Sequence, residues 1–543
     1  MKENKKVRRL CWQIAAIVAV IVLLLPSVSG CKDILVVGDA TDGEANYLLK
    51  VRDPSRPGFQ VLTMIPKNYN YNFYHPWTGR LWPMSFSFDA IGIASENDTI
   101  PNIVKAGMML SSAGLGFGDS DTNSGWVNPR PFGWDDFDWI RFAAQSAASL
   151  ESAALLLGDE AVGRLHAPSV SENMFVVGSD GGFVLEGDML RFETNVIEDG
   201  FLLAHNYPKA LWKTQWLRLR PIAKSWNVSF VATVEKNEKL SLGSFYGVRI
   251  VDVVEDGVFI ESVPRSYMEA WRIEEPVFVP VGEWGSLGMF ALFCESVEGS
   301  VAEVILSTEP FAWEQKISGY LESWYGNIGL SELMWLTRLN QSSLFGLRGM
   351  CELDYPFEAS SIFAIPSRYP EVLSGGWFAP SHACGSVFVP FHICNTEIVD
   401  EFESGYAARL AQNVSRKLGW SAAEAISDVE DSFIGSEQIA CDIAEVMLDL
   451  GLSVDEFMTS VDCSLQHEGL LVLELLWRYG EIDGVCEAIS ELYSLDSVVE
   501  LRLFGLLCEK NGECLTCSEN FSNLVLARER SIRYLEGFCE YLQ

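Results

Sequence analysis

The chain has 543 residues, room for roughly three to four domains of about 150 residues each. Hydrophobic residues make up 48% and charged residues 21%, with 17 Trp, 31 Phe and 16 Tyr, which supplies packed cores and excludes a chain disordered throughout. A net charge of −35 repels phosphate backbones and speaks against a nucleic-acid partner.

At the N-terminus, Lys2, Lys5, Lys6, Arg8 and Arg9 precede an apolar run from Leu10 to Leu25. The small residues Ser27, Ser29 and Gly30 then stand directly before Cys31. This order is that of a secretory signal, and the run is short for a membrane-spanning helix. It predicts a signal peptide at 1–30, a main domain at 31–400 and a helical extension at 401–543. The expected location is outside the cytoplasm, secreted or at the cell surface. Membrane contact is expected only through an N-terminal lipid or an uncleaved anchor. Sequons at Asn97, Asn227, Asn340, Asn413 and Asn520 are compatible with glycosylation of an exported surface. Export also predicts that some cysteines pair, most readily in the cysteine-dense C-terminal third.

Residues 34–37 read as a buried strand, 38–43 as a turn and 47–51 as a second strand, together a hairpin that starts at Cys31. Asp135, Asp136 and Asp138 open a helix expected to reach about Leu157, with its acids at the positive end of the macrodipole. A second hairpin joins 174–177 to 183–186 through a Ser-Asp-Gly-Gly turn. Strand patterns recur near 228–234, 247–262, 276–280 and 386–392. Beyond Asp400 the spacing turns helical, over 402–418, 421–432, 437–450, 454–460, 468–478, 484–493, 497–509 and 524–541.

The position of Cys31 carries the chemistry. Cleavage after Gly30 would make it the first residue, with a thiol and an α-amine together. That amine has a reference pKa of ~7.7–8.0 and can take the thiol proton near neutrality. Two other readings stand beside this one. Cleavage elsewhere would leave Cys31 structural. Alternatively, Val28-Ser29-Gly30-Cys31 is a lipobox, and acylation of the amine would remove the base.

The stretch Cys31-Lys-Asp-Ile-Leu-Val-Val-Gly-Asp-Ala-Thr-Asp-Gly43, followed by Lys50-Val-Arg-Asp53, resembles the opening of the cysteine N-terminal-nucleophile (Ntn) hydrolases. The likeness is to the choloylglycine-hydrolase and cysteine-dipeptidase superfamily, above all its dipeptidase branch. Pro66-Lys67-x-Tyr69-x-Tyr71, Asn173–Glu186 and Gly375–Phe391 are similar to further stretches of that family. In order, these cover roughly 31–392. The resemblance implies an α+β fold, a four-layer αββα sandwich with an α-helical C-terminal domain. It implies hydrolysis of a linear amide bond in a dipeptide or other small peptide. N-acyl amino acids and acyl transfer are alternatives on the same fold.

By resemblance, Cys31 is the nucleophile and, through its amine, the base. Asp53 holds the amine and Asn206 donates to the oxyanion. Gly114–Asp121 resembles the loop that supplies a second donor, for which a backbone N–H near Asp121 suits better than the carboxylate. Lys50 replaces the family's Arg, and Arg52 lies on the same face of the strand, as a substrate clamp or as a solvated pair. Lys50, Arg52 and Asp121 are thus the expected substrate contacts. Lys32-Asp33 replaces a common Thr-Thr.

No cofactor and no metal are expected. His75, His166, His205, His382, His392 and His467 have no H-E-x-x-H spacing, and Cys514-x-x-Cys517 has no second pair. His382 and Cys384 read as core or loop filling, and Trp134–Trp139 as a helix start packed by aromatics. A homo-oligomer is compatible with the sequence. The rival from another class is a non-catalytic surface lipoprotein, lipidated at Cys31 and binding partners through its helical tail.

Overall fold

Thirteen strands build two large antiparallel sheets. They are β1 (Lys32–Val37), β2 (Ala45–Arg52), β3 (Gln60–Ile65), β4 (Ala90–Ser95), β5 (Ala106–Ser111), β6 (Leu115–Asp121), β7 (Glu172–Gly178), β8 (Gly181–Gly187), β9 (Phe192–Ile197), β10 (Gly200–His205), β11 (Ala359–Pro366), β12 (Gly375–Ala379) and β13 (Val389–His392). In this computed structural model the described residues are 30–495, except 53–56, 70–72, 83, 103, 123–125, 207–229, 242–246, 264–275, 288–289, 345–346, 348, 354–356 and 483. Cys31 opens a unit separate from residues 1–30. No helix among the described residues is long and apolar enough to cross a membrane.

The six-stranded sheet runs β10-β1-β2-β11-β12-β13, and the seven-stranded sheet runs β9-β8-β7-β6-β5-β4-β3. β1 has a strand on either side and is buried at every position, which is why its residues 34–37 form a continuous apolar run rather than an alternation. The chain leaves it at Gly38, where φ is 64° and a Cβ would sit 2.4 Å from the Glu198 carbonyl; only glycine makes that turn.

The two sheets face one another. A Cβ on Gly182 of β8 would meet Leu35 of β1 at 2.9 Å, and one on Gly116 of β6 would meet Phe363 of β11 at 3.0 Å. Leu48, Leu110, Phe175 and Val177 share the core between them. Helices α1 (Asp136–Ala144) and α2 (Leu150–Leu155) pack on the other side of the seven-stranded sheet, over Phe117, Met174, Val176 and Leu185. On the far side of the six-stranded sheet lie α3 (Glu309–Ser323), α4 (Leu330–Thr337), α5 (Tyr406–Leu418), α6 (Ala423–Asp449) and α7 (Asp455–Tyr479), with α8 (Val485–Leu495) against α6. Their apolar faces share one core with Ile34, Leu49 and Ile362. Between β10 and α3, residues 230–308 form two four-stranded sheets around a separate core of Val234, Val248, Ile260, Leu292 and Val304.

Several expectations change in detail. The helix opened by Asp135 stops at Ala144, and a new one starts where Ser149 accepts from Ser152 N in a capping box. The text at 247–262 is a hairpin of two strands, Gly247–Val254 and Gly257–Val263. Segments 421–432 and 437–450 fuse into α6, within which Ser436 Oγ donates to Ser432 O at 2.8 Å. Segments 454–460 and 468–478 fuse into α7, where Gly469 lets the helix approach β13; a Cβ there would lie 2.8 Å from Val389. The expected helices at 497–509 and 524–541 fall outside the described residues. Trp134 is core, 5.0 Å from both Phe73 and Phe142.

Candidate active site

The register of β1 against its two neighbours assembles the Cys31 region. Lys32 pairs with His205 of β10 on one side and with Val51 of β2 on the other. Continued by one residue, the register sets Asn206, Cys31 and Arg52 in a single row across three strands. Paired residues share a face of an antiparallel sheet, so the next row on this face is Ala204, Asp33, Lys50 and Ser361. Both rows look toward the seven-stranded sheet. Lys32 looks the other way, toward the helices, and pairs with Glu352 at 3.3 Å.

Cys31 and Asn206 are half-buried. Asn206 Nδ2 donates to the Asp121 carbonyl oxygen at 2.9 Å, tying the end of β10 to the end of β6. Asp121 therefore meets the site through its backbone, while its side chain is exposed. The stretch Gly114–Asp121, which resembles a loop, is mostly strand β6. Asp53 lies outside the described residues.

Lys50 and Arg52 are buried, at 1% and 3% exposure, which rules out a solvated pair. Each crosses from one sheet to the other past a glycine. A Cβ on Gly118 would come to 3.4 Å from Lys50 Cδ and 3.3 Å from Asp33 Oδ1, and one on Gly107 to 2.9 Å from Arg52 Nε. Beyond Gly118, Lys50 Nζ donates to the Asp119 carboxylate at 2.6 Å and to the Asp119 carbonyl. Arg52 Nη1 donates to Gln60 Oε1 at 2.6 Å and Ile93 O at 3.1 Å, and its guanidinium lies 5.3 Å from the Phe137 ring of α1.

Around these two cations stand more acids than they can match: Asp33, Asp119, Asp121, Asp136 and Glu172. Burial pushes the Asp33 carboxyl well above the usual range against the pull of Lys50. Burial does the same to Glu172, reinforced by Asp121 directly opposite it on the paired strand and by Asp119 and Asp136. Asp136 is raised by desolvation and by Asp119 and Asp135. Burial alone would lower Lys50, yet Asp119, Cys31 and Asp33 hold it above its ordinary value. Burial lowers Arg52, with Asp119, Asp136 and Cys31 opposing. The arrangement can hold Lys50 charged beside a thiolate at Cys31 and keep carboxyls protonated at its rear.

Sequence reasoning brought out Cys31, Lys50, Arg52 and Asn206, which the register collects at one end of the inter-sheet gap. It missed Asp136 and Glu172 and treated Asp33 only as a departure. The available signal was acid set into otherwise apolar strand text, at Asp33, Asp119 and Glu172. Among the described residues, the grouping able to hold a metal ion is His392 with Glu437 and Cys441. It lies at the opposite end of the six-stranded sheet, in the row Tyr47, Ala364, Gly375 and His392. His382 and Cys384 are buried; Cys384 Sγ faces Cys351 Sγ at 3.4 Å, and the His382 ring contacts Glu352 O.

No family model matches the chain, and no curated protein matches it. Among solved structures, it is similar to penicillin V acylase from Agrobacterium tumefaciens, at 11% identity and a TM-score of 0.20. That likeness covers 32% of this chain and 49% of the acylase, about half its length.

Proposed function

We propose that the protein is an amide hydrolase of the Ntn type that uses Cys31 as its nucleophile after removal of residues 1–30. The observation that carries this reading is the register of Lys32 with His205 and Val51, which continued by one residue aligns Asn206, Cys31 and Arg52 at one end of the gap between two facing sheets. Helices on the outer faces of both sheets accord with the αββα sandwich that the sequence resemblance implies.

In this mechanism the α-amine takes the thiol proton, and the sulfur attacks the amide carbon. The buried cations Lys50 and Arg52 favour the thiolate, since each gains from a negative charge at Cys31. The developing oxyanion accepts from the Asn206 amide and a backbone N–H. A side-chain donor of this kind lowers the barrier by ~2.7–4 kcal/mol. The α-ammonium returns its proton to the leaving nitrogen. Water, activated by the freed amine, then resolves the thioester. The substrate proposed is a dipeptide or other small peptide outside the cytoplasm.

The test is the intact mass and N-terminal sequence of the exported protein, together with amino-acid release from a dipeptide panel. The reading expects a start at Cys31 with an unmodified amine, and turnover that Cys31→Ala abolishes. Added lipid mass, or a chain that retains residue 30, contradicts it and favours the lipoprotein.

A further inference from the structure

We propose that His392, Glu437 and Cys441 form a binding site for a divalent transition-metal ion of the zinc or cobalt type. His392 ends β13, and its register partner Gly375 places it on the sheet face covered by helices. Glu437 and Cys441 are four residues apart on α6, and hence on one helix face. The three potential ligand atoms converge. His392 Nε2 is 3.1 Å from Glu437 Oε1 and 3.6 Å from Cys441 Sγ, and Cys441 Sγ is 3.0 Å from Glu437 Oε1. A point about 2 Å from all three exists just off their plane, which is the reach of zinc to nitrogen, oxygen and sulfur.

The surroundings are those of a ligand histidine. His392 Nδ1 contacts Asp462 Oδ2 at 2.9 Å, and that oxygen also accepts from Asn395 Nδ2 at 2.7 Å. Such a carboxylate fixes the ring and its tautomer, leaving Nε2 as the donor atom. Gly375 keeps the space beside that atom open, because a Cβ there would lie 3.0 Å from Nε2. Asp462 is fully buried, whereas Glu437 and Cys441 are only partly so, giving an ion a way in from one side.

Without an ion, an imidazolium held between Asp462 and Glu437 and a Cys441 thiol donating to Glu437 would satisfy the same groups, and the titration below separates the two arrangements. A nitrogen, an oxygen and a sulfur donor together favour zinc or cobalt over calcium or magnesium. Binding displaces the Cys441 thiol proton, and any proton on His392 Nε2, to solvent. Three protein ligands leave a fourth position for water or a small anion, the pattern of open rather than closed zinc sites.

The experiment is cobalt titration of the full chain after chelator treatment, followed by the thiolate-to-cobalt charge-transfer absorption in the near ultraviolet. The expected result is saturation at one Co²⁺ per chain, displaced by Zn²⁺. Cys441→Ser should abolish the band, and Asp462→Asn should weaken binding by ~10–100-fold. Cys463→Ser should leave both unchanged. Melting with and without Zn²⁺ supplies an independent readout, since an ion bound to the folded state raises the midpoint. Absence of the band in the folded protein, or its survival in Cys441→Ser, overturns the site. If Cys441→Ser does not fold, Glu437→Gln decides: affinity unchanged from the native chain overturns the site, and a drop of tenfold or more supports it.

Discussion

Lys50 leaves the six-stranded sheet, passes Gly118 and ends on Asp119, so its charge is matched inside the protein rather than in water. Removing one partner of a buried pair leaves the other uncompensated, at a cost of about 3–5 kcal/mol. Lys50→Met should therefore lower the unfolding free energy in urea by that amount, and adding Asp119→Leu should restore most of it. Additive losses in the double variant would show that the two groups are not coupled. Asn206 is expected to behave differently. Asn206→Ala should reduce kcat ~10²–10³-fold with little change in melting, and an unchanged kcat would remove it from the oxyanion role. Cys31, Lys50, Arg52 and Asn206, which the register brings to one end of the gap, could be picked out of the sequence because they sit in short motifs, whereas Asp53 lies outside the described residues. Asp136 and Glu172 were not, because their character comes from juxtaposition across β6, β7 and α1, which no local pattern records.

Among the elements, strands were read well where burial makes their text uniformly apolar, as in residues 34–37 of β1, or where a turn marks a hairpin, as between β7 and β8. Helix boundaries were read less well. Gly435-Ser436 looks like a breaker by propensity, yet packing keeps α6 continuous through it, and α7 runs unbroken across the expected gap at 461–467. Gly469 gives a test of sign. In an exposed helix interior, glycine to alanine stabilises by about 1 kcal/mol. Here the new methyl would meet Val389 of β13 at 2.8 Å, so Gly469→Ala should cost about 1–3 kcal/mol in thermal or chemical unfolding. A stabilised variant would show that α7 does not press on the sheet as described. In the insert at 230–308 the sequence showed strands only near 228–234, 247–262 and 276–280; the described pairs there are hairpins of neighbouring strands except the long-range pair of Phe230–Glu235 with Val301–Thr308.

For the whole molecule, the charge of −35 and the buried acids act in the same direction. Asp33, Asp136 and Glu172 ionise at higher pH when folded than when unfolded. The folded state therefore holds more protons from about pH 4, the ordinary carboxylate value, up to the raised values. Stability must fall as pH rises through that window and recover on acidification. Urea unfolding at pH 5 and pH 7 should show the larger free energy at pH 5, with the difference reduced in Glu172→Gln. A larger value at pH 7 would mean that ion pairing, not the burial of carboxyls, dominates the proton balance. The twofold arrangement of facing sheets was expected from the resemblance in the sequence; the acid-rich interior behind Cys31 emerges only when the sheets are brought together.

The most direct measurement is a rapid acid quench of the exported protein mixed with a small peptide substrate, followed by peptide mass mapping. A nucleophilic Cys31 predicts an acyl adduct on the peptide that begins with that residue. Turnover with the adduct on another cysteine, or with Cys31 unlabelled and its amine blocked, would contradict the account.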